Sequence, residues 1–453
     1  MALSSHGALA ANQRPSACSG EMAATIQNND NLKFAQNFLS LSDEEIPVAL
    51  IKAYPDILAL TGDVDASPAA AALAHPEKAL ASEKIFGEQH PEFDRTVLGI
   101  LVLKWILNGE YEKLVSVQKE ELKLSPERFL EVQNLVRSVV PDDESLDAMI
   151  ASMVINDLGK AKEFIAATAA RTGIQDVDHD NVLLMALKAD ETVAPSFARL
   201  SSRFRNMIVK GLEAKFNLGQ FVQLENVPAS LDSLNTLVGD KDSLDFYFIH
   251  TLIDFAGVLG HFNQAGSILL DEPKTTGYLL AFEAMKGLAN GRSAEQVYED
   301  YVAIKGELYQ LEAGVPEQKA AIRLSTMLGL TSADEAKRVF DAFEDLPQNT
   351  RSILLSELNT SGYSGRKAVL IYYGPAILNN IRTKIESNGG DGLSEESLEL
   401  GFTTLARVFL QARADLSGPS QSDGVYTLMA RSISEMAGQD PWNLNDSNFT
   451  VQS

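Results

Sequence analysis

The chain has 453 residues, enough for one large core or for two to three ordinary ones. Its formal net charge of −24 argues against a nucleic-acid partner and against an anionic membrane surface, since both need clustered Lys and Arg. A single cysteine, Cys18, excludes an internal disulfide framework and a cysteine-based zinc site, and points to a reducing compartment.

In chain order, residues 1–30 are rich in Ala, Ser, Asn and Gly and read as a disordered N-terminal segment. They lack a basic start followed by an apolar run, so no secretory signal is expected. No stretch reaches about 18 uninterrupted apolar residues, so no membrane span and a cytoplasmic location are expected.

From there the apolar spacing is helical. Val97, Ile100, Leu101, Leu103, Trp105 and Ile106 predict an apolar helix ending near Asn108-Gly109. Leu146, Met149, Ile150, Met153 and Val154 repeat at three-and-four spacing. Similar stripes recur at 160–170, 181–188, 203–215, 244–264, 277–289, 294–311, 316–328, 333–345, 366–385, 396–413 and 424–437. Ser332 and Ser394 have the look of helix caps. Val369–Tyr373 is the best strand candidate. The expected fold is all-α. A helical region over 31–270 would hold the site, a C-terminal helical layer over 271–440 would pack on it, and 441–453 would form a tail. The soft boundary is placed at 271–276, with a separate C-terminal interaction domain as the alternative.

Every residue suited to chemistry falls before that boundary. Asp157 lies four residues after Met153, so it continues the buried stripe of its helix and needs a partner there. Asp178-His179-Asp180 begins the helix over 181–188, where acidic residues favour the positive end of the dipole; Asp176 and Asp178 read as caps. His250 and Asp254 are four apart, and His261 follows on nearly the same face of the 244–264 helix. Apolar residues fill the rest of that helix, while Gly257 and Gly260 leave room for another backbone or a ligand.

The run Ile155-Asn156-Asp157-Leu158-Gly159-Lys160 resembles the HisAsp-Leu/Ile-Gly-Lys signature of HD-domain metal-dependent phosphohydrolases. The resemblance covers roughly 125–265. Asp157 matches the Asp of the pair and Lys160 the following lysine; His179 and His250 fit the additional histidines, and Asp254 the late Asp. Asn156 stands where the family has histidine, and the helix around Arg128–Val136 shows Glu131 and Gln133 where it has its first His.

The resemblance implies a divalent metal (Mn, Mg, Fe or Zn) held by Asp157, His179, His250 and Asp254, activating water against a small phosphorylated substrate. Oxygen donors would shift the preference toward Mg or Mn. Lys160, with one or more of Arg199, Arg203, Arg205 and Lys210, would neutralise the phosphoryl oxygens. His261 or Asp180 would order the water or relay a proton. The expected function is therefore metal-dependent hydrolysis of a phosphate ester or nucleotide. An inactive HD-like binding protein and a non-haem iron oxygenase are the alternatives. No Walker-type loop, dinucleotide-binding glycine motif or nucleophile elbow occurs in the chain.

Overall fold

Helices form wherever the apolar residues recur at three-and-four spacing, and six of them frame the site. These are α1 (Pro91–Asn108), α2 (Asp143–Ile155), α3 (His179–Ala189), α4 (Ser202–Ala214), α5 (Lys241–Gly257) and α6 (Glu272–Ala289). The computed structural model describes residues 33–64, 79–173, 178–416 and 423–444. Among these the fold is predominantly all-α, as expected, with two short strands. Segment 1–30, Cys18, Asp176 and all of the 441–453 tail but Pro441–Leu444 lie outside the described residues.

Helix α1 begins with Pro91, whose fixed φ suits a first turn, and ends at Gly109 in the left-handed region (φ 75°). Between Phe93 and Leu107 every residue except Arg95 is buried, so α1 runs through the core rather than along its surface. Helix α5 crosses it with backbone against backbone. A Cβ on Gly257 would lie 2.7 Å from the Arg95 carbonyl oxygen and from the Gly99 nitrogen. The room left by Gly257 is thus taken up by a neighbouring helix and not by a ligand. Because α5 ends at Gly257, His261 falls in the turns beyond it. That corrects the expectation of one helical face carrying His250, Asp254 and His261 together.

The segment 271–276 opens α6, where the Asp271 side chain caps the helix by accepting from the Lys274 N–H. Helix α6 then lays Phe282 on Phe248 (centroids 4.1 Å apart) and Tyr278 on Phe255 (4.6 Å). One apolar core runs from Phe34 to Leu444.

Further along come helices over Ala294–Tyr309, Pro316–Met327, Ala333–Glu344, Gln348–Leu358, Gly374–Ser387, Glu395–Asp415 and Arg431–Gln439. Ser332 and Ser394 cap two of them as expected, accepting from the N–H groups of Glu335 and Ser397. Strand β1 (Ala368–Tyr372) falls one residue from the expected strand and pairs in parallel with β2 (Val425–Met429). The stripes at 366–385 and 424–437 are therefore each a strand followed by a helix. The β-branched and aromatic residues of both strands, and the backbone bonds that β1 leaves open, override the helical period there. Among the described residues, no helix is long and apolar enough to cross a membrane.

Candidate ligand and active site

Helices α1 to α6 frame a half-open cavity of about 430 Å³. Asp157, Lys160, His179, Asp180, His250 and Asp254 all line it, although they come from segments up to a hundred residues apart. Asn156 and Arg95 line it as well.

Local structure explains the convergence at one end. Helix α2 stops at Asn156, so Asp157 lies in the tight turn beyond it and not on the helical stripe as expected; there the Lys160 N–H donates to the Asp157 carbonyl (2.9 Å). Gly159 in this turn has no space for a Cβ, because the His179 backbone carbonyl lies against it. The glycine is thus what lets the start of α3 dock beside Asp157. Asp178 caps α3 as expected, accepting from the N–H groups of Asp180 (3.0 Å) and Asn181 (3.4 Å). His179 then stands with Nε2 3.3 Å from Asp180 Oδ1 and 3.9 Å from Asp157 Oδ1.

A four-charge network occupies the floor. Glu92, only 2% exposed, receives two contacts from Arg95 Nη1 (2.9 and 3.2 Å) and one from Lys160 Nζ (2.9 Å). Lys160 Nζ also reaches Asp157 Oδ1 at 2.8 Å. Burial pushes the Asp157 carboxyl up, but the Lys160 ammonium outweighs it and holds the group below the ordinary carboxylate range. Burial likewise opposes the charge on Lys160, yet Asp157 and Glu92 keep its pKa above the usual lysine value. The Asp180 carboxyl is raised by burial, against the pull of His179. Sequence reasoning missed Glu92 and Arg95 because the apolar helix was counted from Val97. Two charged residues three apart at the head of an otherwise buried helix were the available signal.

His250 is sandwiched. Its Nδ1 lies 2.9 Å from Ser152 Oγ and its Nε2 3.1 Å from Asn156 Oδ1. Burial lowers its pKa to about 4, opposed by Asp157, so the ring is neutral at pH 7. A neutral ring donates once, and the Ser152 hydroxyl has one proton to share between His250 and the Met149 carbonyl (2.8 Å). Two arrangements satisfy this. Either Nε2–H donates to Asn156 while Ser152 donates to Nδ1, or Nδ1–H donates to Ser152 while the Asn156 amide is turned to donate to Nε2. Asn156, the residue that departs from the HD signature, is thus the partner of His250.

Asp254, one turn along α5, has neither hydrogen bond nor ion pair among the described residues, and its carboxyl faces the cavity. Burial, reinforced by the negative charge of Asp157, raises its pKa to about 7. Lys215, just past α4 with a left-handed backbone (φ 43°), lines the same cavity and also lacks such a partner among the described residues. The apolar part of the lining includes Met207, Phe216, Phe246, Phe255 and Tyr278.

The expected phosphate-binding cations are elsewhere. Arg199 is tied to buried Asp147 (2.8 Å), with its guanidinium over the Tyr54 ring. Arg203 pairs with Asp242 at the surface (2.9 Å), Arg205 with Glu191, and Lys210 with Asp240. All four serve structural ion pairs, and none lines the cavity. His261 does not line it either; its ring rests on Phe262 (3.9 Å), and burial with the nearby Arg95 charge lowers its pKa.

The four expected metal ligands thus share a cavity, but their donor atoms are engaged or apart. His250 uses both nitrogens, and Asp157 is held by Lys160. Among the described residues, no group of three or more His, Cys, Asp or Glu side chains is arranged to hold a metal ion. As placed, these residues do not fit the metal that the resemblance implies.

No curated protein and no solved structure matches the chain. The model of a family of unknown function (DUF6829) matches residues 55–438, and the chain belongs to that family.

Proposed function

We propose that the cavity binds a small polar molecule and that the protein is an HD-like helical binding protein, with ion pairs where its enzymatic counterparts hold a metal. The observation that carries this reading is the meeting of Arg95, Asp157, Lys160, His250, Asp254 and Lys215 in one cavity inside an otherwise apolar core. Its size suits a small ligand, and apolar walls with a few convergent polar groups are the usual make-up of such sites. The His250–Asn156 contact supports the binding reading over a metal centre, because it engages the nitrogen a metal would need. With a net charge of −24, we assign its partners to small molecules rather than nucleic acid or membrane, and from its single cysteine we assign its location to the cytoplasm.

A second reading, metal-dependent phosphate-ester hydrolysis, is favoured by the convergence of Asp157, His179, His250 and Asp254. In it these residues would hold the ion, which would supply an activated water.

One experiment on the purified full-length protein separates the two. Metal content is measured, phosphate esters are tested with Mn, Mg, Fe and Zn, and a small-molecule library is screened by thermal shift. The expected result is sub-stoichiometric metal, no phosphate release, and ligands whose binding is lost when Thr251→Trp fills the cavity. Stoichiometric metal that disappears in Asp157→Ala, together with phosphate release, would overturn the binding reading in favour of the hydrolase. Iron with an oxygen-dependent spectrum would overturn both.

A further inference from the structure

We infer that the occupant of this cavity is a small zwitterion, with an ammonium group paired to Asp254 and a carboxylate or phosphate paired to Lys215. The inference rests on the cavity being a binding site.

It follows from matching charges one by one. Arg95 and Lys160 are taken up by Glu92 and Asp157, and Asp180 is faced by His179. His250 is held between Ser152 and Asn156. What remains on the lining is one carboxylate, Asp254, and one ammonium, Lys215, each without an ion pair or hydrogen bond among the described residues. They are not paired with each other. Asp254, partly buried beside apolar side chains, is costly to ionise without a counter-charge, whereas Lys215 is exposed where it lines the cavity, and its ammonium is free to meet a second group. A cationic group removes the cost at Asp254, and an anionic group on the same ligand gains a charge-assisted contact from Lys215 that a cation alone does not make. The wall formed by Phe216, Phe246 and the stacked Phe255–Tyr278 pair suits an aromatic or branched apolar body between or beside those charges. The ligand class is therefore an amino acid or amino-phosphate with a sizeable apolar part.

The test is calorimetric titration of the full chain and of two shape-conserving variants, Asp254→Asn and Lys215→Met. The probes are L-phenylalanine, 4-(aminomethyl)benzoate, phenethylamine (cation only) and hydrocinnamate (anion only). One of the two zwitterions is expected to bind at least tenfold tighter than either singly charged compound. Asp254→Asn is expected to weaken amine-bearing probes by about ten- to a hundredfold and leave hydrocinnamate unchanged, with Lys215→Met doing the reverse, as one charge-assisted contact is worth about that much. Equal affinity for phenethylamine and the zwitterions, with no effect of Lys215→Met, overturns the inference. So does Mn or Mg binding that needs Asp254 where no zwitterion binds. If library compounds sensitive to Thr251→Trp bind but no zwitterion does, the inference falls and the binding reading stands. If nothing sensitive to Thr251→Trp binds, the binding reading itself falls.

Discussion

His250 shows how a buried imidazole is satisfied without a counter-charge. Its ring is neutral and held at both nitrogens from α2, by Ser152 within that helix and by Asn156 at its end. Removing the serine hydroxyl in Ser152→Ala leaves one buried ring nitrogen unpaired. That is expected to lower stability by about 1–3 kcal/mol, read as a fall in the urea midpoint at unchanged slope. A midpoint within error of wild type would mean that His250 does not depend on this contact. Asp157, His250 and Asp254 were legible in the sequence because each puts a polar group on a stripe otherwise apolar at helical spacing. Lys215 was not, since it follows a helix in a segment without period. The cations at 199–210 were legible as charges, but their partners Asp147, Glu191, Asp240 and Asp242 lie far off in sequence, and only the fold pairs them.

Among the elements, helix starts and stops were legible from Pro, Gly, Ser and Asp, and the strands were the weak point. The junction after β1 shows why. Tyr373 adopts φ 81°, unusual for a non-glycine residue, and its N–H donates to Glu225 Oε1 (2.7 Å), as does the N–H of Gly374 (3.2 Å). A buried carboxylate more than a hundred residues upstream thus fixes the start of helix Gly374–Ser387, and no local pattern announces it. Burial outweighs these hydrogen bonds and raises the Glu225 pKa from 4.5 to about 7. Between those values the folded protein keeps a proton that the unfolded chain has released, so this group's contribution to stability falls as pH rises through that window. Glu225→Gln keeps an acceptor for the two N–H groups and cannot titrate. Its urea midpoint relative to wild type is expected to rise steadily from pH 4.5 to pH 7.5. A constant difference across that range would show that Glu225 ionises normally in the folded state.

At the scale of the whole molecule, a chain of 453 residues ordinarily divides into separately cored domains. Here the regions before and after 271 are stitched through their interiors. Phe282 and Tyr278 stack on α5, and buried Arg323 donates to the carbonyls of Leu224 (3.2 Å) and Asn226 (2.8 Å) as well as to Leu358. The Ala229 N–H donates to the Ser361 carbonyl (2.9 Å). Unfolding either region alone would strip aromatic surface from α5 and leave carbonyls without donors, so the two are expected to melt together. Trp105, buried in α1, reports the first region once Trp442 is replaced by Phe, while far-UV circular dichroism reports helix throughout the chain. In urea the two signals of Trp442→Phe are expected to fall on one curve, with the same midpoint and slope. A fluorescence transition that separates from the loss of helix would instead make the C-terminal region a domain of its own. The cavity, whose only lining residue from that region among the described residues is Tyr278, would then be expected to persist when the C-terminal helices are unfolded.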